Sequence, residues 1–364
     1  MSRLNELGGD HLHTLVKVFI LVIFVLSIGF YLNVSNDDKQ ELLYMEEQAS
    51  PDSGSINNNL EDQSKVAQPQ NGLSTLIGKN VAVLKETLGE PTRKEPSTYG
   101  YEWWIYNQNH ETYLQVGVQE EKIVTIYAIG EKLDISPFVI GQSIEEIYTH
   151  VLVETEINLE IDGTSYRFEL SEEDMNARPI VKMGEIFVQL YIDKFTGELS
   201  SVRFLDEKTL VYLRPYELVY RGTLLEVDPI EDSKWPVIEA GSRKQIFDLT
   251  NIIRARHQVP TLKWDEETAL VAYGHSKDMF DSNSFSHTSK EFGDLKDRLE
   301  TAEVSFQLAG ENIAANYIDA PAAMAGWLNS KGHRESLLNK EFTHIGVGVY
   351  HKHYTQNFIQ KTEE

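Results

Sequence analysis

The chain of 364 residues contains no cysteine. Disulfides, thiolate-held zinc, iron–sulfur clusters and a cysteine nucleophile are therefore excluded, and so is a lipid-acylated cysteine. An extracellular address is not excluded, because a chain of this length can build a core that stands without covalent staples. Basic residues are also scarce: 33 Lys and Arg stand against 57 Asp and Glu, a net charge of −24. Such a balance repels phosphate backbones, so nucleic acid is set aside as a partner. Hydrophobic residues at 41% and charged residues at 25% lie near globular averages, which restricts disorder to local segments and suits two ordinary domains.

Long hydrophobic runs are missing with one exception. Val18 to Leu32 reads VFILVIFVLSIGFYL, and Leu15 and Val16 extend it across Lys17. Only Ser27 and Gly29 interrupt it, so it lacks the polar positions of an amphipathic core helix. At about 1.5 Å per residue it reaches the lower limit for a hydrocarbon layer about 30 Å thick. The following NVSNDDKQ shows no small-residue cleavage pattern, so residues 15–33 are expected to form an uncleaved transmembrane signal anchor. Arg3 and Lys17 on one side, with Asp37, Asp38, Glu41, Glu46 and Glu47 on the other, place residues 1–14 in the cytoplasm and the rest outside the membrane. Residues 34–72 are dominated by Asp, Glu, Ser, Asn, Gln and Pro, a composition that cannot bury enough apolar surface to offset its ordering entropy. A flexible acidic linker is expected there.

Residues 73–222 read as a duplicated α+β module. Ile77-Gly78-Lys79 opens the helical stretch VAVLKETLGEP, and Ile140-Gly141-Gln142 opens SIEEIYTHV. Each is followed by strand-like runs, YGYEWWIYN and YLQVGVQEEKIVTIYAIG in the first copy, TSYRFEL and IFVQLYIDKFTGELSSVRFL in the second. Alternating β-branched and aromatic residues argue for antiparallel strands, so each copy is expected to be one helix on a short meander. Adjacent strand residues face opposite sides, so one of Trp103 and Trp104 is expected in the core. No cluster of His or carboxylates in this module has the spacing of a metal or acid/base site.

A second linker is expected at 223–239, with Pro229 and Pro236, before the pattern turns helical. Ile246, Phe247, Leu249, Ile252 and Ile253 mark an amphipathic helix over 243–258, and Asp265 is a natural N-cap for the next. Val271, His275 and Met279 share one face of that next helix, which makes His275 a hydrogen-bonded core histidine on the simplest reading. Lys290, Lys296, Arg298 and Glu300 read as the solvated face of a helix whose Phe292, Leu295 and Leu299 turn inward. Pro321 opens a helix that stacks Met324, Trp327 and Leu328, and Gly332 suits a helix C-terminus. His351 and His353 sit two apart in a tight hairpin, where a shared, solvent-exposed strand face is expected.

Four ordered stretches in this region carry a resemblance. AYGHSKDMFDSNSFSH, then GENIA at Gly310 to Ala314, then WLNSKGHRESLL ending at Leu338, then HIGVGVY at His344 to Tyr350, resemble the bacterial branch of the CAP superfamily over about residues 240–362. That superfamily groups cysteine-rich secretory, antigen 5 and pathogenesis-related-1 proteins. The module at 73–222 resembles the CAP-associated domain that precedes CAP domains in some spore-forming Gram-positive bacteria. The resemblance implies an α-β-α sandwich with a cleft on one side, and hence an α+β chain of anchor, duplicated module and C-terminal CAP domain. It also implies a cleft of two histidines and two acids, in some members with a divalent metal such as zinc. Matched motif by motif, these fall on His287 in FSH, Glu311 in GEN and His333 in GHR, while Ser330 stands where the second acid is expected.

Two imidazoles and a carboxylate are ligand types that zinc accepts, with a position left for water or substrate. Three readings of the cleft stay open: a buried polar network that orients loops, a binding cleft, or a catalytic one. A catalytic cleft needs Ser330 or a metal-bound water as nucleophile. His275 and Asn312 are supporting candidates, and His287 and His333 the candidate metal ligands. The expected protein is an extracytoplasmic, membrane-anchored binding or interaction module of the cell envelope, with a wall component, lipid or peptide as ligand. A metal-assisted hydrolase is one alternative, and a protein that docks a partner through the duplicated module is another.

Overall fold

The computed structural model describes residues 69–361. The expected anchor at 15–33 and most of the expected linker at 34–72 lie outside the described residues. Among the described residues no helix is long and apolar enough to cross a membrane.

The chain enters through a short 3-10 turn at Leu73–Leu76 and helix α1, Val81–Leu88, whose first turn is capped by Asn80 accepting from the Ala82 N–H at 2.9 Å. Strands β1 (Arg93–Pro96), β2 (Glu102–Tyr106), β3 (Leu114–Gln119) and β4 (Lys122–Ala128) follow as an antiparallel meander. Then come α2 (Ile144–His150), β5 (Glu156–Ile161), β6 (Thr164–Glu169) and α3 (Glu172–Ala177). The module closes with β7 (Ile180–Met183), β8 (Ile186–Asp193), β9 (Glu198–Leu205), α4 (Glu207–Leu213) and β10 (Glu217–Arg221).

Its main sheet runs β1-β2-β3-β4-β9-β8-β7, so the two halves meet at the central β4–β9 pair. The two stretches singled out in the sequence occupy matching places. Gly78 and Gly141 both take positive φ, 80° and 85°, where a side chain is strained. The Gly78 N–H donates to Ile123 at the start of β4 at 2.7 Å, and the Gly141 N–H to Leu199 at the start of β9 at 2.9 Å.

The expected meander in the second half is different in the structure. β5 and β6 leave the main sheet and form a three-stranded sheet in the order β10-β6-β5. Burial explains the division. β5 alternates exposed and buried residues, with Ile157, Leu159 and Ile161 inward, and suits a one-sided sheet; β8 is buried on both faces and suits the middle of the molecule. Trp103 and Trp104 are both buried, at 3% and 4% exposure, because both faces of β2 are covered. Trp103 belongs to a core shared with the C-terminal domain, and Trp104 to the module's own.

The C-terminal domain opens with α5, Trp235–Arg256, which starts inside the expected linker at 223–239 with Pro236 in its first turn. After β11 (Lys263–Trp264), α6 runs Glu266–Asp281 with Asp265 as its cap, accepting from the Thr268 N–H at 2.9 Å. Next come α7 (Leu295–Thr301), β12 (Leu308–Ala315), α8 (Ala320–Leu328) and α9 (Lys331–Leu337). The hairpin β13 (His344–Tyr350) and β14 (His353–Gln360) completes a sheet in the order β11-β13-β14-β12.

Helix α6 lies directly on β13 because Gly346 and Gly348 offer no side chain; a Cβ at either would collide with the α6 backbone. On the opposite face Gln356 of β14 donates to Thr250 of α5 at 2.7 Å, and the Trp327 indole of α8 donates to the Ile313 carbonyl at 3.0 Å. The result is the α-β-α sandwich. Gly332 lies in the first turn of α9 rather than at a helix C-terminus, because the chain turns at Ser330 and restarts a helix at Lys331. His351 occupies the hairpin turn itself with φ of 50°, so it does not share a strand face with His353; its ring stacks on Phe280 at 4.4 Å.

The two parts share a continuous apolar core closed by charge pairs. Arg203 of β9, its side chain 0% exposed, bonds Asp319 at 2.7 Å; Arg93 bonds Asp248 at 2.6 Å; and Arg334 bonds both oxygens of Asp193 at 2.9 Å.

Candidate functional site

β12 carries Glu311 and Asn312 on consecutive positions, so strand alternation sends them to opposite faces of the sheet. Glu311 points to the α6–α7 side. Its Oε1 lies 3.0 Å from His287 Nδ1, and Arg298 Nη2 bonds Oε1 at 3.1 Å and Oε2 at 3.0 Å. The Glu311 and Arg298 side chains are 4% and 5% exposed, whereas that of His287 is 56% exposed. A carboxylate only accepts, so Nδ1 of His287 carries a proton toward Glu311, and Nε2 lies on the other side of the half-exposed ring. Arg298 also donates to the His287 carbonyl at 3.0 Å and to the Asp294 carbonyl at 3.1 Å, tying the histidine's loop to the start of α7.

His275 reaches the same carboxylate from α6, with Nε2 at 3.8 Å from Glu311 Oε1, beyond a direct hydrogen bond. Burial lowers its pKa below the ordinary 6.5, outweighing Glu311 and a loose approach of the Ser286 main chain, so the ring is neutral at pH 7. Neither ring nitrogen has a partner in hydrogen-bonding geometry. The expectation of a satisfied core histidine holds for its burial and not for its hydrogen bonds.

Asn312 serves the other face. Its amide donates to the His333 carbonyl at 3.0 Å and to Gln356 at 3.2 Å, which fixes the start of α9 against the sheet. His333 is half-buried on that helix, and Ser330 is half-buried at the N-cap position, where its hydroxyl does not cap. Glu311, His287 and His275 are thus brought together by their side chains. Asn312 holds His333 by its main chain.

The residue that sequence reasoning missed is Arg298, read there as part of a solvated face. Its signal was spacing: Leu295, Arg298 and Leu299 form one inward stripe of α7, so a charge on that stripe had to be paired. Arg298 also bears on Glu311 as a metal ligand. A guanidinium engaging both Glu311 oxygens competes with a cation for the same lone pairs, and among the described residues no group of three His, Cys, Asp or Glu could hold a metal ion. Glu311 is therefore occupied by Arg298 and His287 and is not free to serve as a third ligand beside His287 and His333.

This sandwich, with GEN on its edge strand and FSH above it, places the C-terminal domain in a defined class: the chain belongs to the cysteine-rich secretory protein (CAP) family. That family's model matches residues 247–361, and the model of the CAP-associated N-terminal domain matches 77–216. Among its relatives is the membrane protein YlbC of Bacillus subtilis strain 168, 52% identical over 317 residues, which are 86% of this chain and 92% of that one. A second B. subtilis protein, YkwD, is 38% identical over 120 residues, 32% of this chain and 47% of its own. An extracellular SCP-domain protein from Bacillus anthracis superposes with a TM-score of 0.77 at 48% identity, over 86% of this chain and 100% of that one. A cysteine-rich secretory protein from Staphylococcus aureus gives 0.73 at 28% identity, over 82% and 98%.

Proposed function

We propose that the protein is a membrane-anchored, extracytoplasmic binding module of the cell envelope, whose CAP cleft recognises its ligand through His287. The carrying observation is the clamped Glu311: Arg298 and His287 hold the carboxylate, which leaves Nε2 of the half-exposed His287 ring to form a hydrogen bond with a ligand. Ser330 sits at the N-cap of α9, a helix that Asn312 ties to the sheet from the face opposite Glu311, which favours binding over acyl transfer. A duplicated origin for the module at 73–222 is supported by the matching Gly78 and Gly141 turns. The names of the relatives, a membrane protein in one case and an extracellular protein in another, support an anchor with its domains outside.

Two measurements test this. Protease added to intact cells is expected to remove the C-terminal domains, and full protection overturns the topology. Purified full-length protein is expected to bind cell-wall sacculi, or vesicles of envelope lipid, with His287→Ala abolishing capture while its circular dichroism is unchanged. Undiminished capture by that variant overturns the role of the cleft. A product released from either material, lost in the same variant, instead establishes the hydrolytic alternative with a His287-activated water.

A further inference from the structure

The floor of the His287–Glu311 cleft concentrates polar atoms that have no partner. Both ring nitrogens of His275, both polar atoms of the Asn357 side chain and Nη1 of Arg298 lack a hydrogen bond, and His275 and Asn357 are 1% and 0% exposed. Their placement converges. Asn357 on β14 is the cross-strand neighbour of Glu311 on β12, so the two side chains rise from the same face of the sheet. His275 descends from α6 onto that carboxylate, and Arg298 reaches it from α7. On the same face Ser276 and Thr355 pair with each other at 2.8 Å, and Nδ1 of His353, four positions before Asn357 on β14, is a further atom without a partner. Buried groups of this kind are costly unless something bonds them, and a cluster of them around one carboxylate calls for a guest that does.

The chemistry of the guest follows from the atoms left over. Glu311 and Arg298 cancel each other's charge, so a further ion gains no net attraction and loses its hydration. The neutral imidazole of His275 offers one donor and one acceptor, the Asn357 amide offers both, and Arg298 Nη1 offers donors. We propose that this floor is a binding subsite for an uncharged group that both donates and accepts hydrogen bonds, held by His275, Asn357 and Arg298 behind His287. Water, or a ligand's hydroxyl or carboxamide, has that chemistry. The inference rests on the binding reading only for the ligand arm, since the water arm stands whatever the protein binds.

The test uses full-length protein in detergent micelles with 15N-labelled histidine rings at neutral pH. Both nitrogens of His275 are expected at hydrogen-bonded shift positions, and Asn357→Leu is expected to move at least one to the unbonded position while the His287 signals stay in place. Acetamide is then titrated beside acetate and guanidinium. A saturable response of His275 to acetamide alone identifies a carboxamide guest that displaces water, and no response to any of the three identifies water that is not displaced. A wild-type His275 with an unbonded nitrogen overturns the proposal, as does a response to acetate or guanidinium equal to that of acetamide. The wild-type spectrum decides the matter even if Asn357→Leu fails to fold. His287→Ala capturing envelope material normally would overturn the binding reading and leave this spectrum unchanged.

Discussion

Two buried acids of the C-terminal domain, eight positions apart, each pair with an arginine: Glu311 with Arg298 of the same domain, and Asp319 with Arg203 of the other. Asp319 caps α8, accepting from the Ala322 N–H at 3.1 Å, and receives Arg203 from the first module at 2.7 Å. The guanidinium stands within about 6 Å of the rings of Trp103, Tyr127 and Tyr191, and the surrounding core is continuous across both parts of the chain. Each arginine keeps at least one nitrogen without a partner, but Glu311 stands in other surroundings: a half-exposed histidine lies above it, whereas the Arg203 side chain is fully enclosed. An acid–arginine pair is therefore neither a lock nor a site by its own nature. Packing on all sides makes the first a lock, and the opening toward His287 makes the second a site.

The largest expected effect comes from breaking the lock. Arg203→Met leaves Asp319 buried and unpaired and is expected to cost about 3–5 kcal/mol in urea denaturation of the full chain, with most recovered in Arg203→Met/Asp319→Asn, which retains the helix cap. No recovery in the double variant would show that Arg203 acts by packing alone. Arg298→Met is expected to cost less, about 2–3 kcal/mol, because Glu311 keeps His287 and lies next to the opening, and it is expected to abolish ligand capture as well. Equal losses from the two arginine variants would erase the distinction between lock and site.

Acid gives a smaller effect. His275, His344 and His353 all have folded pKa values lowered from 6.5 by burial, so the unfolded chain takes up protons more readily than the folded one. Their stability is fully present above the ordinary histidine value and is lost as pH falls below 6.5 toward the folded values. Asp193 and Asp265, lowered from 3.8, add their own loss only at more acid pH. The urea midpoint is expected to fall between pH 7 and 5, with a shallower fall in His275→Gln; parallel profiles would remove His275 from the account. The smallest stability change is expected for His287→Ala, within about 0.5 kcal/mol by the same denaturation, since its ring is half-exposed and screened. Its expected consequence is loss of capture.

Much of the fold was legible in residues whose signals are local. Asp265 before EETALV, the Gly78 and Gly141 turns and the strand run TSYRFEL of β6 depend on neighbours within a few positions, whereas β5 went unread. GEN and FSH could be matched because the motifs are short and ordered. The division of the second half into two sheets was not legible, because it turns on what covers β8, and that is supplied by residues far along the chain. The same holds for the site. His287 and Glu311 stand out as residue types in motifs, whereas Arg298 looks like any helix-surface charge until the loop before α7 and strand β12 close around it.

By itself, then, the sequence determined the class of the molecule: no cysteine chemistry, a net charge of −24, one long apolar run, and the two domains in order. These follow from composition and periodicity, which need no partner in space. The tertiary structure alone decided that Glu311 is held by a guanidinium, that Trp103 faces the other domain, and that His275 and Asn357 are buried with open valences. Those depend on distances between side chains remote in sequence, and burial gives such pairs their energy.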